Sequence, residues 1–130
     1  MKYLYKATPD GYCGDEDNGQ TSAWYLFSAT GFYPVTPATD QYVLGAALFK
    51  RVTAKLENGK EIIIEAPENS SKNIYVKQMQ MNGQNYDLNW ISHQELMGGA
   101  TIEFRMPSFP ELKKGTSSAS FPYSYSDENK

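Results

Sequence analysis

The stretch Phe49-Lys50-Arg51-Val52-Thr53-Ala54-Lys55-Leu56-Glu57-Asn58-Gly59-Lys60-Glu61-Ile62-Ile63-Ile64-Glu65-Ala66 decides the fold class of this chain. Phe49 to Leu56 and Lys60 to Ala66 are both rich in strand formers, and the second holds three β-branched isoleucines in a row. Between them Glu57-Asn58-Gly59-Lys60 supplies an Asn-Gly turn, the strongest short-range signal for folding one strand back on another. The chain is therefore expected to be built on an antiparallel hairpin.

Working outward, Asn82-Gly83 repeats the signal and separates Asn73 to Met81 from Gln84 to Trp90 as a second hairpin with a polar tip. Tyr42-Val43-Leu44 reads as a strand ahead of the first hairpin. Ala100 to Met106 alternates, with Ile102, Phe104 and Met106 on one face, and reads as a core-facing strand. Ser92-His93-Gln94-Glu95 has the serine-to-glutamate spacing of a capping box, opening one helical turn that stops at Gly98-Gly99. From Pro107 the composition turns to Pro, Lys, Gly and Ser, so the tail should run over the surface, with Tyr123 and Tyr125 docking on the body.

One longer helix is expected, over residues 20 to 30. Asp17 or Asn18 can cap it, Ala23, Leu26 and Ala29 favour it, Gly31 stands where a terminating glycine belongs, and Pro34 forbids continuation. Its apolar residues do not sort onto a single stripe, so it calls for neighbours on several sides. No second long helical pattern supplies them. Pro34 to Thr39 reads as a linker. The fold class is thus mainly β: an antiparallel β-sandwich preceded by a short helical segment. Residues 1–36 hold the acidic loop and helix, 37–113 the sandwich region and 114–130 a tail.

A chain of 130 residues fits one domain. Its 12 basic and 15 acidic residues give a formal net charge of −3, with no basic run to neutralise a phosphate backbone, so nucleic acid is not an expected partner. No apolar run approaches the roughly 18 residues of a membrane span, and the first residues lack the apolar core of a secretion signal. Neither a membrane nor a targeting address is expected from the sequence as it stands. Cys13 is the only cysteine, which rules out an internal disulfide. With the sole histidine, His93, in another segment, a small buried or semi-buried thiol is expected rather than a nucleophile.

The chemistry-bearing feature is Gly14-Asp15-Glu16-Asp17-Asn18-Gly19-Gln20, consecutive acids between glycines at the mouth of the expected helix. A helix N-terminus favours ionised carboxylates, and two of them near one water can share its deprotonation or hold a hard cation. The plain alternative, a capping aspartate in a solvated loop, has a slight edge on spacing alone. An EF-hand fails, because counting from Asp15 puts Gly19 fifth and Leu26 twelfth, where ligands are required. Trp24, Trp90 and ten tyrosines could form a sugar-stacking platform, but core and interface packing is the favoured account of them. His93 is expected as an exposed residue of a helical turn. Asn69-Ser70-Ser71 matches a glycosylation acceptor pattern that also recurs by chance.

The run Asp10-Gly11-Tyr12-Cys13-Gly14-Asp15-Glu16-Asp17-Asn18-Gly19-Gln20-Thr21-Ser22-Ala23-Trp24-Tyr25, continued by Ser28-Ala29-Thr30-Gly31-Phe32-Tyr33-Pro34, resembles the signature near the C-terminus of the glycoside hydrolase family 92 α-mannosidases. Asp40-Gln41-Tyr42-Val43-Leu44-Gly45, Asn89-Trp90-Ile91-Ser92-His93 and Phe121-Pro122-Tyr123-Ser124-Tyr125-Ser126 resemble that family's C-terminal region in the same order. Thr21 stands where methionine is usual and Thr30 where leucine is frequent.

The resemblance implies a calcium-dependent exo-α-mannosidase, of a kind that often cleaves α-1,2 links with inversion, in which a β-sandwich packs on an (α/α)6 barrel. The helical segment of this chain would then belong to that barrel. Asp15 and Asp17 correspond to the general-base candidates, while the general-acid glutamate lies upstream in the family and matches no part of this chain. Calcium ligands and substrate-binding residues are not assignable. Such a reading makes the chain a C-terminal fragment, inactive alone, whose partners are mannose-containing glycans and the missing N-terminal portion. With that portion absent the chain is expected to dimerise through the exposed helix, swap it or leave it mobile, and the resemblance implies a periplasmic or secreted setting for the full-length enzyme. The alternative is a non-catalytic β-sandwich that binds carbohydrate or packs on a partner chain.

Overall fold

The computed structural model describes residues 3–128. Among these, helix α1 (Gln20–Thr30) leads into eight strands and a short helix: β1 (Phe32–Tyr33), β2 (Gln41–Leu44), β3 (Arg51–Lys55), β4 (Glu61–Glu65), β5 (Gln78–Met81), β6 (Gln84–Asn85), β7 (Trp90–Ser92), α2 (His93–Met97) and β8 (Ala100–Arg105). The strands form two sheets, a three-stranded one ordered β1-β2-β7 and a five-stranded one ordered β3-β4-β8-β5-β6. The mainly-β architecture with one longer helix is the one the sequence implied.

Alternation places the core. In β4 Ile62 and Ile64 are buried between exposed or half-buried neighbours, and in β8 Ala100, Ile102 and Phe104 are buried, followed by Met106. Ile64 aligns with Ile102 and Met79 with Phe104, so neighbouring strands present their large side chains on the same face. Phe32 and Ile91 of the smaller sheet and Leu96 of α2 complete one apolar cluster with them. Fully burying an isoleucine is worth roughly 1.5–3 kcal/mol, so these few residues hold the two sheets together.

The two Asn-Gly turns differ in type. Gly59 is left-handed (φ 80°) and donates its N–H to the carbonyl of Leu56 at 3.0 Å, while Leu56 N–H reaches Lys60 O at 2.9 Å. That is a three-residue loop closed by a glycine. At Asn82-Gly83 both residues have positive φ (52° and 77°), as a two-residue type I′ turn requires, and Met81 pairs directly with Gln84.

Two expectations are corrected by pairings that are distant in sequence. The second hairpin does not run to Trp90: β6 stops at Asn85, and Trp90 instead pairs with Val43 in the other sheet. Asn89 makes the change of sheet, its carbonyl accepting from Leu44 N–H and its own N–H donating to Ser120 O, both at 2.9 Å. The larger sheet is also mixed, because β4 and β8 run parallel. The long connection between them, which holds β5 to β7 and α2, makes that direction accessible. Also not anticipated is β1, which pairs with β2 across the expected boundary near residue 36.

The tail is tied down more firmly than its composition suggests. Asn89 Nδ2 donates to Gly115 O at 2.7 Å, Ser120 is buried, and Tyr123 N–H donates to Gln41 Oε1 at 2.7 Å. Tyr123 therefore docks, but Tyr125 does not. Tyr125 is 70% exposed at the start of a last 3-10 turn.

Candidate active site

Helix α1 is where the acids are positioned. It ends on Gly31, left-handed at φ 97°, whose N–H reaches the carbonyls of Phe27 and Ser28. It begins on Gly19, left-handed at φ 68°, with no side-chain hydrogen bond from the cap residue itself. The expectation that Asp17 or Asn18 caps the helix is thus wrong. Glu16 does so from three residues before the cap, its carboxylate accepting Ser22 N–H at 3.1 and 3.0 Å and the Ser22 hydroxyl as well. The left-handed glycine curls the loop back, Gly19 N–H closing on Glu16 O at 3.0 Å, so that only the longer glutamate side chain reaches the orphan donor at the helix start.

Further ties fix the loop. Thr21 Oγ1 donates to the carbonyl of Asp15 at 2.8 Å. Tyr5 OH donates to Thr21 O at 3.2 Å, and its ring stacks on Trp24 at 5.7 Å and 14° and leans on Tyr25 at 5.1 Å. Desolvation, followed by the Cys13 hydrogen bond and nearby negative groups, raises the Tyr5 phenol above its ordinary value.

The three acids thus separate by role. Glu16 is half-buried and committed to the helix, whereas Asp15 and Asp17 are exposed and flank it. Asp15 lines a cleft of about 320 Å³ together with Tyr5, Gly14, Gln20, Thr21 and Trp24. Asp17 is not among the residues lining that cleft. The roles of Glu16 and Thr21 had no clear sequence signal beyond a glycine immediately before the helix, whose turn displaces the cap by three residues.

The remaining candidates are not drawn to this place. His93 is exposed on α2, its Nδ1 lying 3.0 Å from Tyr42 OH with the rings stacked. Ser92 and Glu95 make the expected capping box. Cys13 is exposed, not buried or semi-buried, because the Gly11–Gly14 stretch loops outside the apolar cluster. Asn69 spends its side-chain amide on the carbonyls of Ala47 and Leu48 at 3.0 and 2.5 Å, a role in the fold that competes with modification. Trp24 faces Tyr5, and Trp90 is half-buried in β7. Among the described residues no three His, Cys, Asp or Glu side chains converge as metal ligands, and no helix is long and apolar enough to cross a membrane.

The profile of the glycosyl hydrolase family 92 catalytic domain matches residues 1–108. A family 92 inverting mannosidase from Bacteroides thetaiotaomicron is 48% identical, superposes with a TM-score of 0.88 and is matched over 97% of this chain and 17% of its own. A family 92 α-mannosidase of the same organism, solved with mannoimidazole, is 36% identical with a TM-score of 0.91, over 95% of this chain and 16% of its own. A protein of Arthroderma benhamiae described as an uncharacterized secreted glycosidase is 28% identical over 105 residues, covering 78% of this chain and 14% of that protein. The chain belongs to glycosyl hydrolase family 92, and it spans less than a fifth of the length of each of these relatives.

Proposed function

We propose that this chain supplies the general-base wall of an inverting exo-α-mannosidase site, with Asp15 and Asp17 as the base candidates. The observation that carries the reading is the division of the acidic loop: Glu16 is hydrogen-bonded to the helix start, leaving its two neighbours exposed, with Asp15 in a cleft. The match to inverting and α-mannosidase relatives supports the substrate class. In this mechanism one aspartate takes a proton from water as the oxygen attacks the anomeric carbon, while an acid on the opposite side protonates the departing glycosidic oxygen. Inversion requires acid and base roughly 6.5–9.5 Å apart, with water and sugar between them. One loop makes one wall, so the acid is assigned to polypeptide outside these 130 residues.

Calcium belongs to this proposal through the family alone. A calcium shell takes about six to eight oxygens, and Glu16, one of the three loop acids, is already engaged. The residues described here do not by themselves fit such a shell, so no step is routed through the ion. The expectation is calcium dependence of the assembled site, with most ligands from outside this chain. The division at residues 1–36, 37–113 and 114–130, with the first part completing a helical barrel, stands on the same footing. The secreted description of the fungal relative supports a periplasmic or secreted setting.

The test is hydrolysis of an α-1,2-mannobiose by the chain alone and by the chain combined with the rest of a family 92 catalytic domain. Activity is expected only in the combination, with calcium, and lost in Asp17→Asn or Asp15→Asn. Turnover by the chain alone would refute the division of the site. A correctly assembled but inactive combination that still binds mannosides would favour the non-catalytic carbohydrate-binding module.

A further inference from the structure

Three Asn-Gly pairs occur in the chain, at Asn18-Gly19, Asn58-Gly59 and Asn82-Gly83. This pair is prone to spontaneous deamidation, because a residue without Cβ lets its backbone nitrogen approach the preceding side chain. The nitrogen attacks the asparagine Cγ, the bond to the side-chain nitrogen breaks and ammonia leaves. Water then opens the resulting succinimide to aspartate or isoaspartate. No co-reactant beyond water is needed, but the carboxamide must be free to swing over the following peptide nitrogen.

The fold gives the three pairs different freedom. Asn58 is held at both ends of its amide, Nδ2 donating to Met97 O at 2.9 Å and Oδ1 accepting Lys60 N–H at 3.0 Å. Asn82 Oδ1 accepts Thr101 N–H at 2.9 Å, and Asn82 N–H donates to Thr101 O at 2.8 Å, which locks that turn onto β8. The Asn18 side chain is exposed and makes no hydrogen bond among the described residues. The attacking nitrogens of Gly19 and Gly59 are held alike, each donating to a carbonyl three residues back at 3.0 Å. The difference between those two pairs therefore lies in the carboxamide.

We infer that Asn18 is a site of spontaneous deamidation in the folded protein, while Asn58 and Asn82 are protected. The product adds a carboxylate directly after Asp17. In its isoaspartyl form it also lengthens the backbone by one methylene in the turn that lets Glu16 reach Ser22. The inference is independent of the mannosidase reading, since it concerns the loop whether or not the loop is catalytic.

The test is incubation of the purified chain at mildly alkaline pH, folded and in urea, with peptide mapping and isoaspartyl labelling at each pair. In urea the three should react at similar rates. In the folded chain Asn58 and Asn82 should be slower than Asn18 by about tenfold or more, because their carboxamide hydrogen bonds must open in addition to any bond on the attacking nitrogen. Equal slowing at all three, or Asn18 as the slowest, would overturn the inference.

Discussion

At the scale of single residues, the acidic loop shows how neighbouring carboxylates acquire different roles. Glu16 answers orphan donors at the start of α1, so Glu16→Ala should destabilise the chain by about 1 kcal/mol in urea unfolding. Glu16→Gln should recover part of that, because an amide oxygen still accepts Ser22 N–H. Asp17→Asn should be silent in the same melt, and an equal loss from both positions would contradict the division of roles. The acids and the helix were legible in the sequence, but the capping residue was not. A cap is ordinarily read from the residue just before the helix, and here Gly19 stands there in a left-handed conformation that transfers the task to Glu16. Two other groups give pH signatures. The Glu68 carboxylate accepts Met106 N–H and an Arg105 hydrogen bond, which lower it below its ordinary 4.5. Its contribution is present above that ordinary value and is lost as pH falls through the lowered folded one, so Glu68→Gln should flatten the acid limb of a stability profile. Burial, followed by the charge and hydrogen bond of Glu95, pushes Tyr86 up to about 12. Its contribution holds below the ordinary 10 and fades as pH climbs toward 12, so Tyr86→Phe should flatten the alkaline limb.

At the scale of elements, glycines at two chain reversals make a quantitative contrast. Gly59 is left-handed in open space, so Gly59→Ala should cost about 1 kcal/mol from backbone strain alone. Gly31 is also left-handed, but an added Cβ would lie 3.2 Å from Ala47 N and 3.3 Å from its Cα. Gly31→Ala should therefore cost more, about 2 kcal/mol or above, since β1 must shift away from Ala47 to make room. Denaturant midpoints would order the two variants, and a smaller loss at Gly31 would show that this junction yields. Elements set by local chemistry were legible: both Asn-Gly reversals, the Ser92 capping box and the alternation of β8. The pairings that escaped are non-local. Nothing within Gln84 to Trp90 marks the point where the chain leaves one sheet for the other, because the partners that fix it, Leu44 and Ser120, are far away in sequence. The parallel register of β4 with β8 is of the same kind, since an isoleucine-rich strand suits either direction.

At the scale of the whole molecule, the described residues have a well-formed core and an exposed apolar rim around α1. Ile64, Ile91 and Ile102 are almost wholly buried, yet Leu26 of α1 is 63% exposed and lines, with Tyr5, Tyr12, Tyr25 and Leu48, a groove of about 470 Å³. Within α1 only Ala29 is buried, although the helix is largely apolar. That fits the proposal that the remainder of a family 92 catalytic domain covers this face, and it was legible as a helix whose apolar residues formed no single stripe. An uncovered surface of this kind should drive self-association, so the chain alone is expected to sediment as a dimer or a concentration-dependent mixture. Leu26→Glu should shift it toward monomer and make its urea midpoint independent of protein concentration, with the midpoint at high dilution unchanged because Leu26 contributes little to the core. Amide exchange should then be fast along α1 and slow in β4 and β8, whose hydrogen bonds lie between strands packed on the core. Adding the remainder of the catalytic domain should slow exchange in α1 and abolish the dimer. A rigid wild-type monomer, with α1 exchanging as slowly as β8 in the absence of any partner, would mean that this face needs no cover and would overturn the proposal that a further part of a catalytic domain docks on it.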